Sequence, residues 1–235
     1  GLTLPDRRLE TVQIRMIALD APVWQTANMV AVQGGTFSMG DTFGDGFDDE
    51  TPVHSVTVSG FAMTRTEVTN ESVAAVMNWA LESGRATVVD GWLLDGAGHA
   101  LLHLQAPSAY RQLDYDSGMI TVLNGRHAYP CIYSTWHGAV AYCNYLSEIQ
   151  GLAPCYDLAD GECDRSATGF RLPSEAEWEW AARGGTAGVD TPYSGSESVD
   201  DVAWYFANAG DPRNSQLGFG RGTLPVAAKA ANELG

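Results

Sequence analysis

The sequence lacks any apolar run long enough to cross a bilayer as a helix, so no membrane span is expected. It is also short of basic residues: Lys plus Arg number 13 against 29 Asp plus Glu, giving a formal net charge of −16 at pH 7. That balance argues against nucleic acid or an anionic membrane surface as partner, because both require a positive face. Cysteine is scarce at 4 residues. There is no internal repeat, no Pro- or Ser-rich linker, and no Gly-x-Ser-x-Gly, His-Glu-x-x-His or Walker sequence. The chain begins with Gly1 rather than Met, so the missing leader says nothing about compartment. What is present is a core-forming composition, 45% hydrophobic and 18% charged. With 26 Gly, 7 Trp and 9 Tyr, it predicts much irregular backbone pinned by large aromatic side chains.

Residues 1–25 read as a separate N-terminal strand or the end of an upstream domain, with Val12, Ile14 and Met16 alternating before Asp20-Ala21-Pro22. Short strands are expected at Met29–Val32, Thr36–Met39, Val53–Val58 and Phe61–Thr66, around an acidic loop from Asp41 to Glu50. A helix capped by Asn70 or Thr69 buries Val73, Val76, Met77, Ala80 and Leu81 and stops at Gly84. Residues 86–125 read as β-structure, with hairpins about Gly96-Ala97-Gly98 and Asp116-Ser117-Gly118. Cys131–Ser134 reads as a short strand. A second helix follows, with Trp136, Ala139, Val140, Cys143 and Leu146 on one stripe. Ser174 with Glu177 forms a capping box for a third helix, on which Trp178, Ala181 and Ala182 are expected to face inward. Beyond Gly185 only turns are expected. The class is α+β with high loop content, and residues 26–235 are taken as one domain.

Several blocks together resemble a known family. They are Met29-Val30-Ala31-Val32-Gln33-Gly34-Gly35-Thr36-Phe37-Ser38-Met39-Gly40, then Asp49-Glu50-Thr51-Pro52-Val53-His54-Ser55-Val56, then Glu67-Val68-Thr69-Asn70. Ser134 to Ser147, Gly169 to Gly185, Pro225-Val226 and Asn232-Glu233-Leu234-Gly235 continue in the same order. From about residue 29 onward the chain is similar to the formylglycine-generating enzymes, or sulfatase-modifying factors. The resemblance implies a variant of the C-type lectin fold with little regular secondary structure. It implies copper held by two cysteines, molecular oxygen, and oxidation of a sulfatase cysteine within a Cys-x-Pro-x-Arg segment to formylglycine. Other members bind ligands without this chemistry. In the family the copper cysteines follow a Trp-rich block beyond Asn-Glu-Leu-Gly, so the region expected to carry them is absent here, and the sequence reads as a fragment. No catalytic or cofactor-binding residue is assigned.

Cys143 sits on the buried stripe of a helix and reads as an inert thiol, and Cys131 has no obvious partner. Cys155 and Cys163 flank a tight turn. They are a metal or redox pair, or a disulfide stapling the loop, and the disulfide is preferred. The acidic loop lacks the spacing of an EF-hand and reads as solvated surface. Family members often bind calcium near the stretch matching 200–222, which makes Asp201, Asn208 and Asp211 weak calcium candidates, among other oxygens at Asp200 and Asn214. His99, His103 and Gln105 approximate an iron motif of the sulfoxide-synthase relatives, but Gln is a poor iron ligand and the segment reads as a hairpin strand. His54 and His137 read as structural hydrogen-bonding residues. Trp136, Trp178, Trp180 and Trp204 read as core, the other reading being a stacking platform for a sugar or peptide. Two functions follow: a formylglycine-generating-enzyme-type domain acting on a sulfatase-type peptide, or a non-catalytic C-type-lectin-like module for a protein or glycan ligand. An extracytoplasmic location is expected for either.

Overall fold

The computed structural model describes residues 28–106, 110–210 and 222–235. The segment 1–25, with its expected strand, lies outside the described residues. In chain order the described elements are β1 (Met29–Val32), β2 (Gly35–Met39), β3 (His54–Val58), β4 (Phe61–Thr64), α1 (Asn70–Glu82), β5 (Ala86–Val89), β6 (Trp92–Asp95), β7 (Ala100–His103), β8 (Leu113–Asp116), β9 (Met119–Val122), α2 (Trp136–Ile149), α3 (Glu175–Ala182) and the single-turn α4 (Val199–Val202). These form two compact units. One spans residues 67–172; the other joins 28–66 with 173–235.

In the second of these units, β1 pairs antiparallel with β4 and β2 with β3, so Gly34-Gly35 passes the chain from one two-stranded ribbon to the other. The glycine is required at 34, where a Cβ would come within 2.6 Å of Val58 O. The small core holds Val32, Val58, Trp180 and Ala181. Ser174 and Glu177 make the expected capping box: Ser174 Oγ accepts from Glu177 N–H at 3.3 Å, and Ser174 N–H donates to Glu177 Oε2 at 2.8 Å. The inward stripe of α3 is Glu177, Trp180 and Ala181, not Trp178, which is exposed. Periodicity allows either face, since 178, 181 and 182 are spaced as 177, 180 and 181 are; the packing of Trp180 against Phe37 and Gly35 selects the second. Trp180 fills the core, with its ring 5.2 Å from that of Phe37 and its Nε1–H on Gln33 O at 2.9 Å. The Gly40 turn is held by charge. Gly40 N–H donates to Glu179 Oε1 at 3.1 Å, and Arg183 Nη2 donates to Gly40 O at 2.8 Å. The acidic loop after it is exposed, and Asp41 Oδ1 accepts from Gly44 N–H at 2.6 Å and Asp45 N–H at 3.2 Å.

The unit spanning 67–172 has the larger core. Thr69, rather than Asn70, caps α1, accepting from Ser72 N–H. The helix buries Val73, Ala74, Val76, Met77 and Ala80 against Leu93, Leu101, Leu104 and Ile120 and against Tyr142, Tyr145 and Leu146 of α2. Each fully buried large side chain contributes on the order of 1.5–3 kcal/mol. β5, β6 and β7 form a three-stranded antiparallel sheet, and β8 and β9 a hairpin whose turn uses left-handed backbone at Ser117 and Gly118. Residues 131–134 do not form a strand: Tyr133 adopts a left-handed φ of 61°, which breaks extension and leaves only a bridge from Ser134 to Leu102. Asn70 is wholly buried, and its Nδ2 donates to Gln112 Oε1 at 2.7 Å and Arg126 O at 2.9 Å, tying the helix start to both ends of the β8–β9 hairpin.

Candidate functional site

The unit spanning 67–172 gathers most of the chemistry-bearing residues. Thr135 begins it. Its hydroxyl accepts from Gly138 N–H at 3.0 Å as the N-cap of α2 and donates to Ala100 O of β7. This fixes the first helical turn, which carries Trp136 and His137 at the surface. Downstream, residues 155–164 fold back on themselves. Asp157 N–H donates to Glu162 O at 2.9 Å, Asp164 N–H donates to Cys155 O at 2.7 Å, and Tyr156 pairs with Cys163. At the tip, Gly161 has φ 79°, and a Cβ there would lie 2.6 Å from the Trp136 ring, so the indole rests directly on the glycine backbone. Asn144 of α2 grips the same hairpin, donating through Nδ2 to Tyr156 O at 2.6 Å and accepting from Tyr156 N–H at 3.0 Å.

The hairpin borders an open cavity of about 620 Å³ lined by Pro154, Cys155, Tyr156, Asp157, Leu158, Glu162, Cys163 and Asp164. Hydrogen bonds from the Ser166 hydroxyl and N–H hold the exposed Asp164 carboxyl below the usual carboxylate range. Trp136 is 52% exposed, its ring 6.4 Å from that of Tyr156 and perpendicular to it. The site thus combines an aromatic face with carboxylates, a pairing suited to cationic or polar ligands. Trp178 and Trp204 are also exposed, so of the four tryptophans read as core only Trp180 is core.

Beside Trp136 lies an arrangement that sequence reading did not assemble. His137 stacks on His99 with centroids 4.2 Å apart and planes 3° from parallel. His99 Nδ1–H donates to Asp95 Oδ2 at 3.0 Å, and the Asp95 side chain is almost wholly buried. Burial alone would push the Asp95 carboxyl up. The His99 N–H, the His99 ring and the Ala97 N–H together outweigh it and hold the pKa below the ordinary value. His103 instead stacks on Trp92 at 4.0 Å, so the two histidines of the iron-like spacing serve different neighbours. The available signal was an Asp four residues before a His across a Gly-rich turn.

All four cysteines are free thiols. Burial pushes half-buried Cys131 up to about 12. Buried Cys143 also reaches about 12, from burial first and then from its neighbours Cys155 and Cys163. Cys155 is raised by burial and by Cys163. Among the described residues no three His, Cys, Asp or Glu side chains converge as a metal site. Cys143 is buried, and among the described residues no third donor joins it or Cys131, so these two do not fit a copper centre. Of the calcium candidates, Asp201 Oδ2 meets Ser196 Oγ at 3.2 Å, and Asn208 Oδ1 accepts from Tyr205 N–H at 2.8 Å. Asn208 Nδ2 donates to Asp200 Oδ1 at 3.1 Å, and Asp211 lies outside the described residues.

Residues 17–235 match the model of the sulfatase-modifying factor enzyme 1-like domain. A formylglycine-generating enzyme of Streptomyces coelicolor is 32% identical over 178 residues, covering 69% of this chain and 49% of that protein. The chaperone protein LppX of Paenibacillus barcinonensis is 36% identical over 125 residues, covering 43% of this chain and 45% of that protein. The chain therefore spans about half the length of these relatives. The crystal structure of CarF superposes with a TM-score of 0.59 at 27% identity, covering 88% of this chain and 74% of that one. Short strands, few helices and this likeness agree on the fold, and the chain belongs to the formylglycine-generating enzyme, or sulfatase-modifying factor, family.

Proposed function

We propose that this chain is the peptide-recognising scaffold of a formylglycine-generating-enzyme-type protein, and that Cys131 and Cys143 take no part in copper chemistry. The observation that carries the reading is the open, carboxylate-lined cavity beside exposed Trp136; Cys143 is buried, and among the described residues no third donor joins it or Cys131. Oxidation of a sulfatase-type cysteine would accordingly use ligands other than these. The partner would be a Cys-x-Pro-x-Arg segment, its arginine received by the exposed Trp136 face and by Asp157, Glu162 and Asp164. The compartment that suits this reading is extracytoplasmic.

The test is incubation of the intact protein with such a peptide, copper and oxygen, reading aldehyde by mass. Turnover should survive Cys131→Ser and Cys143→Ser, and Trp136→Ala should weaken peptide binding about tenfold, a loss of about 1.4 kcal/mol. Loss of turnover in Cys131→Ser, with the fold intact, would overturn the assignment of the cysteines. The open cavity beside an exposed tryptophan also favours a second reading, a non-catalytic module for a protein or glycan ligand. Absence of aldehyde together with glycan binding lost in Trp136→Ala would select it.

A further inference from the structure

We infer that the stacked pair His99 and His137 is an acid-sensitive latch, which holds the Trp136 indole on Gly161 at neutral pH and releases it in acid. Asp95 anchors one side. Its Oδ1 accepts from Ala97 N–H at 2.9 Å and His99 N–H at 2.8 Å, and its Oδ2 accepts from His99 Nδ1–H at 3.0 Å. His99 is thereby tied to the turn that precedes β7. The other side is held by rings. His137 lies face to face with His99 at 4.2 Å, and Trp136 stands edge-on to His137 at 5.2 Å and 78°. Among the described residues no carboxylate pairs with His137. Protons reach both rings: the His99 side chain is 29% exposed and His137 is half-buried.

Imidazole is the side chain that ordinarily changes charge between about pH 8 and about pH 5. The other groups around the stack keep their charge there. Against its burial, Asp95 is held below the ordinary carboxylate value by the His99 and Ala97 contacts, so it stays ionised. The Tyr145 phenol of α2 is pushed up to about 12, by burial first and then by Asp95 and Glu148, and stays neutral. Beyond it Arg85 and Glu148 pair with each other. Tyr156, across the Trp136 ring, is raised by burial and is neutral as well. The hairpin carboxylates Asp157, Glu162 and Asp164 line the cavity, and His103 stacks on Trp92 instead. One carboxylate therefore faces two imidazoles. Asp95 balances the first proton. A second puts two like charges at stacking distance, and the partial positive charge of the first turn of α2 opposes it further at His137. His137 is the ring that leaves, because His99 is tied to Asp95. Trp136 then loses the ring it stands on, and its contact with Gly161 opens. The consequence for ligand binding rests on the reading of Trp136 as the arginine-receiving face; the latch itself does not.

The experiment is NMR of the intact protein carrying labelled glycine, following the Gly161 Hα signal from about pH 7.5 to about pH 5.5. An indole face on Gly161 shifts that signal upfield by its ring current, and Trp136→Ala assigns it. The expected result is an upfield signal at neutral pH that moves in acid towards its position in Trp136→Ala. His99→Phe and His137→Phe each keep a ring in the stack and remove one charge, so in both the signal should stay upfield throughout. A signal that does not move in the parent, or that moves equally in the folded Phe variants, overturns the latch. The Cys-x-Pro-x-Arg peptide is titrated separately at both ends of the range. It should bind the parent about tenfold more weakly in acid and bind His99→Phe equally at both. A peptide that binds at neither pH counts against the peptide-recognition reading, while the Gly161 signal still decides the latch.

Discussion

Gly138→Ala sets two opposed effects against each other. Gly138 lies in the first turn of α2, where alanine is the better helix former by about 1 kcal/mol. A Cβ there would stand 2.1 Å from Leu101 O and 2.9 Å from Leu101 C. Those are backbone atoms of β7, so no rotamer relieves the contact. Normal separation requires the helix or the strand to move by about 1 Å. The strand is held in place, since Leu101 and Leu102 are wholly buried and Leu101 O accepts from Thr135 N–H at 3.0 Å. Overpacking of this kind costs about 3 kcal/mol at a rigid site, and subtracting the helix gain leaves a net loss of about 2 kcal/mol. At this chain length that lowers the melting temperature by roughly 4–8 °C. The measurement is urea unfolding followed by circular dichroism, with Gly96→Ala as control, because a Cβ at Gly96 meets nothing within 4 Å. The control should stay within about 0.5 kcal/mol of the parent. A Gly138→Ala protein as stable as the parent would refute the reasoning that the helix is pinned against Leu101.

Asp95 predicts a pH dependence. Its folded pKa is depressed, so its contribution is present above the unfolded value of about 4 and is lost as pH falls through the lower folded value. Asp95→Asn should flatten the acid limb of the stability profile, and an unchanged slope would count against the His99 contact. Ser174→Ala removes the cap of α3 and should cost about 1 kcal/mol in the same unfolding assay. Gly161→Ala, at φ 79° and in contact with Trp136, should change tryptophan fluorescence and weaken any ligand that stacks on the indole.

Periodic and capping signals were legible where local physics decides. α1, α2 and α3 lie where apolar spacing, Thr69, the 136–146 stripe and the Ser174–Glu177 box placed them. The two hairpin turns were legible for the same reason. The inward face of α3 was not, because in an eight-residue helix a tryptophan at 178 and one at 180 are equally hydrophobic to a reader. Only the pairing of Trp180 with Gly35, whose Cβ would come within 2.7 Å of the indole, separates them. Residues 131–134 failed as a strand because one left-handed residue, Tyr133, outweighs apolar composition. The Asp95–His99–His137 arrangement joins β6, the start of β7 and the first turn of α2. Asp95 and His99 are close enough in sequence for spacing to suggest them, but His137 stands some forty positions further on, and no spacing rule could add it.

The polar residues on the buried face of α2 explain why so much irregular chain can persist beside it. A segment without strand or helix still has to satisfy its backbone groups. Residues 152–172 do so partly on one another and partly on α2. Asn144 takes both the N–H and the C=O of Tyr156. Ser147 Oγ accepts Phe170 N–H at 2.8 Å while donating to Cys143 O at 2.7 Å, and Ser147 N–H and C=O remain in the helix, the latter also receiving Leu152 N–H at 2.8 Å. Gly169 can lie this close only because it has no side chain: a Cβ would come within 2.5 Å of Ser147 Oγ. A hydrophobic stripe read from the sequence accounts for the core side of this helix, but its wholly buried Ser147 and nearly buried Asn144 carry the other half of the fold. The same residues that replace missing secondary structure hold Tyr156, Cys155 and the cavity wall in place. Scaffold and candidate site in this unit are therefore one hydrogen-bonded system, and a polar-to-apolar change at Asn144 would act on the site through the backbone of Tyr156 rather than through the core.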